Sequence, residues 1–155
     1  MCLIVDANVS HRVFGDNPTL AGERLRTALD NNRRKIVIGG KLRFELLQSD
    51  AFKTWFIQAS LAGFVRDLAD GEVNQRAERL RERAVCRSDD EHVVALALIS
   101  RSHVLCTSDT SLMADFKNGR IVSPPGSISS ADALANPKRQ YNNLLKWTRV
   151  CKGCR

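Results

Sequence analysis

The chain opens on a continuous apolar run, Cys2 to Val5, that stops abruptly at Asp6-Ala-Asn8. Apolar residues in succession, with no polar alternation, predict a short strand covered on both faces. Pro18-Thr-Leu20 opens a helical stretch to about Asn31, with Leu20, Leu25, Ala28 and Leu29 near one face. Lys35 to Ile38 repeats the buried-strand signature and closes on Gly39-Gly40. Lys41 to about Leu61 predicts helix, in one piece or in two broken near Ser49-Asp50. Gly63-Phe-Val65 predicts a short strand and Glu72 to Val85 a charged helix. Ser88 is placed to cap a further helix, whose first turn Asp89-Asp90-Glu91 would load with acid. That helix runs on through Val93 to Ile99, apolar all round, and is expected at the centre of the fold. Val104 to Thr107 predicts a buried strand ending in Ser108-Asp109, Thr110 to Lys117 a helix, Arg120 to Val122 a last strand, and Pro137 to Trp147 a terminal helix.

Short apolar strands alternating with helices predict an α/β fold: a three-layer α/β/α sandwich on a short, mainly parallel central sheet. The 155 residues suffice for one domain with its own core. Folds of this class bind ligands outside the carboxyl ends of the strands, near the point where strand order reverses.

Charge divides the chain. Its 24 basic and 17 acidic residues give +7, and six of the basic residues lie between Pro137 and Arg155, where no acid occurs. The expected organisation is a body over 1–136, close to neutral, and a basic, partly helical tail over 137–155. Such a tail serves either a polyanionic partner or solubility. The longest apolar run, Val93 to Ile99, is far short of the ~20 residues that span a bilayer. Asp6 breaks the only early apolar run, so no signal peptide is expected and the setting is cytoplasmic. Five cysteines (Cys2, Cys86, Cys106, Cys151 and Cys154) show no framework spacing and read as reduced thiols.

Two carboxylates hold equivalent places: Asp6 after Leu-Ile-Val and Asp109 after Val-Leu-Cys-Thr-Ser, each where a strand gives out. Asp90 sits ahead of the buried helix, and Glu45 lies within the apolar stretch Leu42-Arg-Phe-Glu-Leu-Leu47. Each also has a plainer reading. An Asp after a strand caps a helix, Asp90 serves a helix N-terminus, and Glu45 pairs with Lys41 or Arg43. Strand order in a parallel sheet, however, can bring all four to one edge. Carboxylates facing one point need a proton, a basic partner or a metal. Hard cations such as Mg²⁺ or Mn²⁺ suit oxygen donors, and a cation so held assists phosphodiester hydrolysis.

Taken in order, Leu3-Ile-Val-Asp-Ala-Asn8, Phe44-Glu-Leu46, Ser88-Asp-Asp-Glu-His-Val-Val-Ala-Leu-Ala97, and Thr107-Ser-Asp-Thr-Ser-Leu112 with Asp115-Phe116 resemble the PIN-domain family over roughly residues 1–125. The resemblance implies a metal-dependent endoribonuclease of the VapC toxin type. It implies that Asp6, Glu45, Asp90 and Asp109 are catalytic and bind Mg²⁺ or Mn²⁺. Asn8 and Thr107 would be supporting contacts, with Asp89 as the alternative to Asp90 and Asp115 as a further acid or a surface charge. The partners it implies are RNA, a cognate antitoxin protein and a second copy of the chain. The competing expectation is a non-catalytic module that keeps this fold to bind nucleic acid or protein.

Other features weigh less. Cys151-Lys-Gly-Cys154 lacks the second ligand pair of a structural zinc site and the helix that follows a redox motif. Gly39-Gly40-Lys41 lacks the rest of a phosphate-binding loop. Asp6-Ala-Asn8 has Asn where an aspartyl phosphatase needs an acid. His11, His92 and His103 are scattered, and His92 reads as structural or surface. Arg76, Arg79 and Arg83 share a helix face, as RNA contacts or as solvated charges beside Glu72, Glu78 and Glu82. Tyr141 and Trp147 would stack on bases or dock the tail.

Overall fold

A computed structural model describes residues 2–30, 34–129 and 131. Its elements in chain order are β1 (Cys2–Val5), α1 (Ala7–Phe14), α2 (Leu20–Asp30), β2 (Lys35–Ile38), α3 (Gly40–Leu46), α4 (Asp50–Leu61), β3 (Val65–Asp67), α5 (Asp70–Glu82), α6 (Glu91–Ser100), β4 (Val104–Cys106), α7 (Thr110–Lys117) and β5 (Ser127–Ser129). The five strands form one sheet in the order β3-β2-β1-β4-β5, and every pairing is parallel. With helices covering the sheet, the architecture is the expected α/β/α sandwich. The chain builds outwards from β1 through β2 to β3, then returns to the other side of β1 with β4 and β5. The switch point therefore lies between β1 and β4, where Ile4 pairs with Leu105 and Val5 with Cys106.

The core explains why these short strands form. Cys2, Leu3, Ile4 and Val5 are wholly buried, as are Ile36, Val37 and Ile38 of β2. A parallel strand covered on both faces needs no alternation, and removing a large apolar side chain from it costs about 2–5 kcal/mol. In α6 the residues from Glu91 to Ala97 are all buried, so the helix expected at the centre is there. Phe14 of α1 meets Phe52 edge-on at a ring-centroid distance of 5.0 Å and Trp55 at 4.6 Å, which locks α1 against α4. Trp55 Nε1 donates to Asp30 Oδ1 at 2.9 Å, satisfying the indole at the end of α2.

Several elements depart from the sequence expectation. The residues after Asp6 form a helix, α1, whose buried Val9, Ser10, Val13 and Phe14 carry a helical period too short to stand out from its polar neighbours. The stretch from Lys41 to Leu61, by contrast, follows the two-piece reading and divides where Ser49 Oγ accepts from Phe52 N at 3.3 Å. The last strand is not Arg120–Val122. Those residues turn back, with the N–H groups of Ile121 and Val122 both donating to Asn118 O, while Val122 plugs the core. The fifth strand is the polar Ser127–Ser129, whose pairing is recruited by β4 rather than by any apolar run of its own. Ser88 does not cap α6. Asp90 holds that position, and only Glu91 of the three acids lies in the first turn.

Cys86 and Cys106 are free thiols, as expected, but Cys2 is disulfide-bonded. Sequence spacing does not reveal this, because tertiary proximity decides which cysteines meet. The basic tail 137–155, its expected helix, Tyr141, Trp147, Cys151 and Cys154 lie outside the described residues. Among the described residues, no helix is long and apolar enough to cross a membrane.

Candidate active site at the carboxyl edge of the sheet

Asp6 follows β1 and Asp109 follows β4, so the two acids flank the switch point. The ladder runs one step past the strand ends, where Asp6 N donates to Cys106 O at 2.9 Å. This sets Asp6 beside Thr107. Thr107 Oγ1 donates to Asp6 Oδ2 at 2.6 Å and accepts from Asp109 N at 3.0 Å and Asn8 Nδ2 at 3.3 Å. One donor and two acceptor positions are all a hydroxyl offers, and all are used. Asn8 also reaches Ser108 N through Oδ1 at 3.4 Å, joining the start of α1 to the β4–α7 loop.

Asp109 caps α7, with Oδ1 accepting from Leu112 N at 2.6 Å. The plainer reading of this residue thus holds, and its second oxygen is left for other work. Asp90, at the N-cap of α6, makes no capping hydrogen bond. Asp89 is exposed, whereas Asp90 is half-buried and feels the charges of Asp6, Asp109 and Glu45. Asp90, rather than its neighbour, faces the other acids.

Glu45 comes from α3, which opens directly after β2. Gly40 makes this entry possible. Its φ of 54° is left-handed, and a Cβ there would stand 2.7 Å from Asn74 Oδ1 and from Val73 Cγ1. Gly40 N donates to Asp70 Oδ1 at 2.6 Å. Arg43 pairs with Asp67 and Asp70, not with Glu45. Glu45 instead pairs with Lys41 at 3.3 Å on its exposed side and with His92 Nε2 at 3.2 Å on its buried side. His92 is the member of the site that sequence reasoning missed. It is only 4% exposed, on the first turn of a helix that is apolar from Val93 to Ile99. Its signal was a polar ring where the pattern demands burial.

The electrostatics tie the four acids together. Burial pushes the Asp6 carboxyl above the usual carboxylate range, and Glu45 adds to this, while Thr107 and the nearby N–H groups of Asn8 and Ala7 oppose it. Asp90 is raised first by burial, then by Asp6, with His92 opposing and Asp109 and Glu45 adding. Each of the other three acids therefore bears on Asp90. Asp6 also reaches backwards into the sheet, where burial, with Asp6 adding, pushes the Cys106 thiol up to about 12.

Asp115 has a different place. It is 1% exposed, neither a surface charge nor among the groups acting on Asp90. It accepts from Arg87 N, Ser88 N and Ser88 Oγ, each at 2.9 Å. It thereby anchors to α7 the loop that delivers Asp90.

All four acids offer hard oxygen donors, and a bound cation would relieve their mutual charge, so the donor chemistry fits Mg²⁺ or Mn²⁺. As placed, no three His, Cys, Asp or Glu side chains among the described residues stand at metal-ligating spacing. The fit is thus one of donor type and charge, not of a closed coordination shell. Comparison with known proteins adds no relative: no family model matches the chain, and neither a curated protein nor a solved structure matches it.

Proposed function

We propose that this chain is a metal-dependent endoribonuclease that uses Asp6, Glu45, Asp90 and Asp109 to hold Mg²⁺ or Mn²⁺. The observation that carries the reading is the convergence of acids at the switch point, where Thr107 joins Asp6 to Asp109 and where Asp90 lies within reach of the charges of Asp6, Asp109 and Glu45. A bound divalent cation supplies Lewis acidity for water attack on a phosphodiester and offsets the charge that develops there. The protein's own groups do the positioning. Thr107 fixes the Asp6 carboxylate, His92 fixes Glu45, Leu112 N–H fixes Asp109, and Asp115 fixes the loop bearing Asp90. No side chain need act as a nucleophile. A cytoplasmic setting, a regulatory antitoxin covering the acid edge and a homodimer belong to the same reading.

The test is cleavage of mixed RNAs in Mg²⁺ or Mn²⁺ against EDTA, with Asp6→Asn as the control. Cleavage that needs the metal and is lost in Asp6→Asn supports the reading. Metal-independent, salt-sensitive RNA binding without cleavage would establish a non-catalytic nucleic-acid module instead.

A further inference from the structure

Away from the acid edge, α5 and α6 enclose two adjoining depressions of about 310 and 180 Å³. Arg76, Arg79 and Leu98 line both, and Arg83 and Arg120 line the second. The one acid on their walls is Glu72. All four arginines are exposed. Among the described residues, none of their guanidinium groups has a hydrogen bond or ion pair. Their neighbour Arg81 is the contrast, paired with Glu78 at 3.3 Å and with the buried Glu91 at 3.4 Å. Glu78, one of the acids that would have neutralised this face, is thus already engaged.

We propose that this groove binds the phosphate backbone of single-stranded RNA a few nucleotides away from the scission point; the proposal rests on the ribonuclease reading and extends it to substrate binding. Arginine presents a planar fork of donors that matches phosphate oxygens. The spacing 76, 79, 83 covers ~10 Å of helix axis, the reach of two or three phosphates. Leu98 lies eight residues after Asp90, ~12 Å along α6, so a few nucleotides join the groove to the acids. The body of the chain is close to neutral, which makes four arginines with no partner among the described residues a local concentration in one groove rather than a general excess. Depressions of a few hundred Å³ hold a nucleotide or two. A protein partner burying the ~1,000 Å² of a stable interface would reach well beyond them.

The experiment uses the full chain in EDTA, so that binding is read without cleavage. The probe is a fluorescein-labelled oligouridine twelve nucleotides long, followed by anisotropy across a salt series. Wild type is compared with Arg76→Ala/Arg79→Ala and with Arg83→Ala/Arg120→Ala, and melting of each variant reports its fold. The proposal expects each pair to weaken binding about tenfold and to lower the salt slope by about 1.4, the value for two phosphate contacts on a single strand. In Mg²⁺ the KM for RNA rises by the same factor. Equal affinity and slope in wild type and folded variants would overturn it, as would failure of wild type to bind. Arginine-dependent capture of polyglutamate with no arginine dependence for RNA would assign the groove to an acidic protein segment and also overturn it. Arginine-dependent RNA binding with no cleavage in any metal would leave the groove standing and remove the ribonuclease reading.

Discussion

Thr107 Oγ1 donates to Asp6 Oδ2 at 2.6 Å across 101 residues of sequence, joining the tips of the two strands that flank the switch point. The same oxygen accepts from Asp109 N, so a single hydroxyl sets the positions of two of the four acids. Thr107→Val keeps the shape and removes this hub. Asp6 then loses an opposing hydrogen bond and its carboxyl rises further, while Asp109 N loses its acceptor. The expected cost is about 1–3 kcal/mol in urea unfolding, with metal-dependent cleavage reduced. Thr107→Ser restores both. Full activity in Thr107→Val with unchanged stability would remove Thr107 from the site.

Asp90→Asn isolates charge from capping, because Asp90 makes no capping hydrogen bond. Its carboxyl is raised in the folded state, so folding favours the protonated form. The folded wild type is therefore penalised as pH rises from the unfolded value of 3.8 through the folded one. Asn carries no such penalty. In EDTA the variant melts higher than wild type at pH 7, and the gain vanishes near pH 3. Asp90 is only half-buried, so solvent screening keeps the gain to about 1 kcal/mol or less. Added Mg²⁺ stabilises wild type more than the variant. A variant that melts lower in EDTA at pH 7 would show that Asp90 is not in a repulsive cluster.

Asp115 tests whether the loop before α6 is held from α7. Three donors converge on Oδ2, with Arg87 N shared by Oδ1, and Asn sets an amide nitrogen, itself a donor, into that cluster in place of one oxygen. Asp115→Asn weakens these charge-assisted bonds and turns an amide N–H toward other donors, for an expected loss of about 2–3 kcal/mol by urea titration. The Mg²⁺-induced rise in Tm also shrinks, because Asp90 is no longer held. A destabilised variant with a full Mg²⁺ response would confine Asp115 to stability.

Strands β1, β2 and β4 and the central helix were legible because burial on both faces leaves an apolar run that local pattern reports directly. Asp6 and Asp109 were legible for the same reason, since a charge that ends such a run has to stand at the sheet edge. The fifth strand was not legible. Ser127-Ile-Ser129 pairs because β4 presents an open edge, and nothing in a polar triplet announces that. Ile121 and Val122 misled because apolar residues also plug a core from a turn. His92 was missed because its partner, Glu45, lies 47 positions away, and only the fold brings α3 against α6. Asp115 looked like an ordinary helix charge for a similar reason. Its donors belong to a loop 27 and 28 residues earlier.

Asp109 combines two roles that one pair of substitutions separates. Its Oδ1 caps α7 through Leu112 N, and its charge acts on Asp90. Asp109→Ala removes both, with an expected loss near 1 kcal/mol from the cap alone. Asp109→Asn retains the cap, since Asn serves there about as well as Asp, and removes only the charge. In EDTA the Asn variant therefore melts at or above wild type while the Ala variant melts below it. The Mg²⁺ response distinguishes the assignments. A ligand that binds only the folded state stabilises in proportion to its affinity, so loss of a donor shows as a smaller shift whatever happens to the cap. Both variants are expected to lose most of the Mg²⁺-induced rise. An Asn variant with the full rise would leave Asp109 as a helix cap and take it out of the metal site.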